Sequence, residues 1–69
     1  MEKYTVVVNN MKNQDDANKV LEAIEHVWGL GQIEVNLSKK EAKFTYDERM
    51  ASFLDFEQAI KDTGFEIKH

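Results

Sequence analysis

Ala17, Val20, Leu21, Ile24, Val27 and Trp28 recur at three- and four-residue steps, which draws one apolar stripe along a helix. Asn13 or Asp15 suits its start, because a short side-chain oxygen can accept from the free amides of a first turn. Gly29 or Gly31 suits its end, where positive φ is tolerated without a Cβ. Trp28, last on the stripe, is expected to cover the far end of the core.

The segments around this helix alternate with a period of two. Residues 4–8 are β-branched or aromatic; Tyr4, Val6 and Val8 share one face, and Val7 makes the other face partly apolar, as in a central strand. Ile33, Val35 and Leu37 alternate with Glu34 and Asn36, then Ala42, Phe44 and Tyr46 alternate with Lys43 and Thr45. Residues 38–41 between them have the length of a hairpin connection. A second helix starts at Ser52, where Ser52 and Asp55 resemble a capping box, with Phe53, Phe56, Ala59 and Ile60 inside and Gly64 as the stop. Residues 65–68 form a short last strand with Ile67 inward. The order βαββαβ predicts an α+β, ferredoxin-like sandwich, a four-stranded antiparallel sheet with two helices on one face.

The 69 residues make one domain, with a stability of roughly 3–10 kcal/mol. Cysteine is absent, so neither a disulfide nor a thiol switch is available. Thirteen acidic against nine basic residues leave a formal charge of −4, and Lys39-Lys40 is the longest basic run. That balance argues against a nucleic-acid partner, which demands a basic stripe. No apolar run has the length of a membrane span, about 20 residues, and the start of the chain is unlike a signal peptide. A cytoplasmic protein without a membrane partner is expected. No nucleophile set or phosphate-cradling glycine loop is present, and Arg49 is the single arginine, so an enzyme is not expected.

Several segments in register resemble the heavy-metal-associated domain family over about residues 3–67: Val35-Asn36-Leu37, Ala42-Lys43-Phe44-Thr45-Tyr46-Asp47, Ala59-Ile60, and Thr63-Gly64-Phe65-Glu66-Ile67. Gly29 and Met11 match the family's glycine after the first helix and the methionine beneath its metal loop. In that family Gly-Met-x-Cys-x-x-Cys joins the first strand to the first helix. Here the two thiolate positions are Asn13 and Asp16, and Asn10 replaces the glycine. Cu(I) is soft and suits thiolates, whereas amide and carboxylate oxygens are hard donors. The resemblance therefore implies the fold without the inherited copper clamp, and no cofactor.

The candidate site is the loop of Asn10, Met11, Lys12, Asn13, Gln14, Asp15 and Asp16, with Phe65 beside it packing on Met11 as core. Asn13 as cap and Asp16 as dipole partner is the favoured role. The alternative is a metal-ion binder that uses oxygens of Asn13 and Asp16 with nitrogen from His26 or His69. The favoured function is docking in metal homeostasis, on another metal-binding domain, a metal-transporting ATPase or a second copy, with the helix starts at Asp15 and Ser52 in the surface. A small-molecule sensor is a third class that this sandwich can serve. Asp15, Asp16, Asp55, Glu57 and Asp62 are expected on a solvated acidic face, and Leu54 with Met50 in an exposed apolar spot.

Overall fold

The computed structural model describes residues 1–68. The elements are β1 (Glu2–Val8), α1 (Gln14–Glu25), β2 (Leu30–Asn36), β3 (Glu41–Tyr46), α2 (Phe53–Asp62) and β4 (Ile67–Lys68). The sheet order is β2-β3-β1-β4, with every neighbouring pair antiparallel, and both helices pack on one face. β1 is central, as its two partly apolar faces indicate. Among the described residues no helix is long and apolar enough to cross a membrane.

Strand alternation fixes what lies inside. Val6, Val8, Ala42, Phe44 and Tyr46 are buried against Val20, Ile24, Phe56 and Ile60 from the helices. Phe56 sits at the centre, 4.5 Å from the Phe44 ring and 5.4 Å from Tyr46 between centroids. Their tilted geometry satisfies the ring quadrupoles as well as burying apolar area.

Several boundaries differ from the expected ones for local reasons. The hairpin turn occupies residues 37–40, where Lys40 takes positive φ and the Asn36 side chain accepts from the Lys39 N–H. α1 ends at Glu25 with His26 as its cap, before either glycine. The chain then turns so that the Gly29 carbonyl accepts from the Asp47 N–H at 2.9 Å. Trp28 falls in that turn, leaves the helical stripe and is 81% exposed, so it does not cover the core. Ala23 is buried on α1, while Leu21 and Val27 are half-buried. β4 is only two residues long, because Phe65 and Glu66 belong to the preceding loop.

Glu57 is the larger correction. It is 3% exposed, not on a solvated face. Tyr4, on the inner face of β1, donates its hydroxyl to Glu57 Oε2 at 2.7 Å. A donor delivered into the β1–α2 contact makes a carboxylate tolerable there.

Candidate functional site

Antiparallel pairing of β1 with β3 decides which loops meet. The end of β1 and the start of α1 share a pole with the start of β3 and the loop between α2 and β4. The Val8 N–H donates to the Lys40 carbonyl at 2.8 Å, and the Asn9 N–H donates to the Glu66 carbonyl at 2.9 Å.

Asn10 ties the two loops together. Its Oδ1 accepts from the Glu66 N–H at 2.9 Å and its Nδ2 donates to the Gly64 carbonyl at 3.4 Å. Lys40 Nζ reaches the Asn9 carbonyl at 3.5 Å. Met11 then turns inward and is fully buried in the core that also holds Phe65. The unbranched thioether fills the space below the loop as part of the core.

Asn13 and Asp16 brace the rest. Asn13 is the N-cap of α1, its Oδ1 accepting from the Asp16 N–H at 2.9 Å. Asp16 reaches back, its Oδ2 accepting from the Lys12 N–H at 3.0 Å. The first bond satisfies a donor that a helix start leaves without a partner, the second an amide just ahead of the cap. The carboxylates of Asp15 and Asp16 lie in the first turn, at the positive end of the helix dipole. One oxygen of each residue at the clamp positions is thus committed to the loop's own backbone. Gln14 points along the helix, donating to Asn18 at 3.0 Å.

This donor set does not fit Cu(I). The atoms are hard oxygens, and those placed to converge are held by backbone amides. Nor does His26 join them. It caps the other end of α1, about 20 Å of helix away. His69 lies outside the described residues. Among the described residues no group of three or more His, Cys, Asp or Glu side chains could hold a metal ion.

The structure brings Asn10 to Asp16 together with Phe65, and adds Lys40, Gly64 and Glu66, which the linear motif does not point to. Their signal is topological, since the βαββαβ order alone puts those loops at this pole. Ser52 is not part of the surface: α2 starts at the opposite pole, where Phe53 stacks on Tyr4 at 5.0 Å. The acidic set is likewise divided, with Asp15, Asp16 and Asp62 near the loop, Asp55 at the far pole and Glu57 inside.

Residues 5–66 match the heavy-metal-associated domain. The chain is 31% identical over 61 residues to the copper chaperone CopZ of Staphylococcus haemolyticus, covering 88% of this chain and 90% of that one. A copper-binding domain from a P-type ATPase superposes with a TM-score of 0.93 at 29% identity, over 99% of this chain and 92% of the other. Oxidized MerP from Ralstonia metallidurans shares the fold, with a TM-score of 0.92 at 24% identity over 97% and 93% of the two chains.

Proposed function

The chain belongs to the heavy-metal-associated domain family as a degenerate member without the paired cysteines, and on that basis we propose a non-catalytic docking domain of cytoplasmic metal homeostasis. Its partner is another heavy-metal-associated domain, either free or part of a metal-transporting ATPase. The contact surface is the pole formed by residues 10–16 and 64–66.

The observation that carries this reading is the bracing by Asn10, Asn13 and Asp16. A loop shaped by a metal would lose its form with the ligands gone. Here side chains hold the loop by hydrogen bonds of 2.9–3.0 Å to backbone amides. The loop is then a fixed, charged surface with Lys12 and Asp15 exposed, which suits recognition through charge complementarity.

The test is an amide NMR titration with the copper-binding domain of a P-type ATPase as probe. Shifts should localise to residues 10–16 and 64–66, and Asp15→Lys should weaken binding roughly fivefold or more. Unchanged affinity in Asp15→Lys, or no shifts at all, sinks the proposal. Parallel titrations with Cu(I) under reducing conditions, Zn(II) and Mn(II) should leave the loop resonances unmoved; saturable shifts at residues 13–16 would make it a metal site instead.

A further inference from the structure

The large apolar side chains that are exposed are not scattered. Met1, Trp28, Met50, Phe53 and Leu54 all belong to the pole opposite the loop, where β1, β2 and α2 begin and where α1 and β3 end. Trp28 is 81%, Leu54 60% and Met50 56% exposed. The segments that carry them are in contact. A methyl placed on Gly29 would stand 3.0 Å from Met50 Cβ, and one on Gly31 would stand 2.7 Å from the Met1 sulfur. Phe53 lies on the Tyr4 ring. The Met1 sulfur lies towards the Thr45 hydroxyl on the sheet's outer face, while the turn of Trp28 adjoins Met50, with Phe53 and Leu54 following in the chain. This gathering at one pole marks an interaction surface, where single exposed side chains would not.

The charges around it choose the partner. Glu2, Glu25, Glu48 and Asp55 are exposed at this pole. Arg49 is already paired with Asp47 at 3.0 Å, and Lys3 lies on the sheet's outer face by strand alternation. The Met1 ammonium acts on Asp47, and the Asp55 carboxylate is held by the Ser52 N–H. Glu2, Glu25 and Glu48 thus give the rim its acidic excess, beside exposed His26, around an apolar centre of Trp28, Met50 and Leu54. A second copy would set acidic rim against acidic rim, which opposes association. We propose that this pole docks a basic amphipathic protein segment, its apolar face on Trp28, Met50 and Leu54 and its lysines or arginines on the carboxylates. Flexible methionine and a large indole suit an apolar helix face, which anchors side chains at helical spacing. This surface lies apart from the loop pole and does not depend on the docking reading above.

Trp28 is the one tryptophan, so its fluorescence reports on the patch directly. The probe is a synthetic Leu/Lys amphipathic peptide of about 18 residues, some five helical turns, compared with a Leu/Glu peptide of the same pattern. The Leu/Lys peptide should shift Trp28 emission to shorter wavelength and move amides of residues 1–4, 27–31 and 47–55. The Leu/Glu peptide should do neither. Met50→Ser with Leu54→Ser, neutral changes at exposed positions, should weaken binding roughly tenfold, whereas Asp15→Asn at the other pole should leave it unchanged. Equal response to both peptides, shifts centred on residues 10–16, or sedimentation showing self-association through this pole would overturn the proposal.

Discussion

Asn13 and Asp16 occupy the two clamp positions with oxygens turned to the backbone, so restoring the chemistry needs only the side chains. Asn13→Cys combined with Asp16→Cys should give a domain that takes up one Cu(I), read by competition against a chromophoric chelator, while the wild type takes up none. A helix start favours thiolate just as it favours carboxylate. A double variant that stays metal-free would show that the loop backbone itself has departed from a binding shape. Tyr4 offers a second residue-scale test. Its phenol is pushed from 10.0 up to about 12 by the hydrogen bond to Glu57, with burial and the carboxylate's charge adding to it. The folded state holds this proton more tightly than the unfolded chain does. Its contribution is therefore full below pH 10.0 and lost as the pH rises to about 12. Tyr4→Phe should cost about 1–2 kcal/mol near neutrality. In urea unfolding, the gap between the two proteins should close across that alkaline window; a constant gap would deny the linkage. Asn13 was one of two caps that the residues before the stripe offered, a local signal, whereas the place of Met11 under the loop came from the family resemblance alone. Glu57 was not legible in the sequence, since its donor is 53 residues away and charge alone points outward.

At the scale of elements, each helix start is held by a side-chain oxygen on a backbone amide, from the cap residue at α1 and from the third helical residue at α2. Asn13 accepts from the Asp16 N–H, and at α2 the Asp55 carboxylate accepts from the Ser52 N–H at 3.0 Å. Asn13→Ala removes a cap and should destabilise by about 1 kcal/mol. Asp55→Ala removes only the returning arm of a capping box and should cost less, with the loss at Asn13 the more local to the candidate surface. Amide exchange can separate them: Asn13→Ala should speed exchange in residues 14–17 and leave α2 protected. Helices and strands were readable from period and punctuation, while their ends were less so. Glycine marked the ends of α1 and α2 in sequence, yet α1 stops at Glu25 because the following turn must bring Gly29 to Asp47. That contact joins residues far apart in the chain, so no window of local sequence contains it. The exposure of Trp28 follows from the same early stop.

For the whole molecule, size sets how much each core residue matters. A chain of 69 residues has roughly 3–10 kcal/mol of stability, with no disulfide to add to it. Phe56 is fully buried and meets the rings of both Phe44 and Tyr46. Phe56→Ala should cost about 3–5 kcal/mol, a large part of the total and enough to leave a measurable unfolded population. Trp28→Ala, at a position that packs on little, should change stability by only about 0.5 kcal/mol or less. The same two variants should reverse order in peptide binding at the apolar pole, where Trp28 is the anchor and Phe56 has no exposed surface. Urea midpoints for the pair, measured beside the peptide titration, separate folding from recognition. A Trp28→Ala protein that loses as much stability as Phe56→Ala would place the indole in the core and leave the pole without its anchor. A stable Trp28→Ala protein that no longer binds the basic peptide would assign the indole to recognition alone.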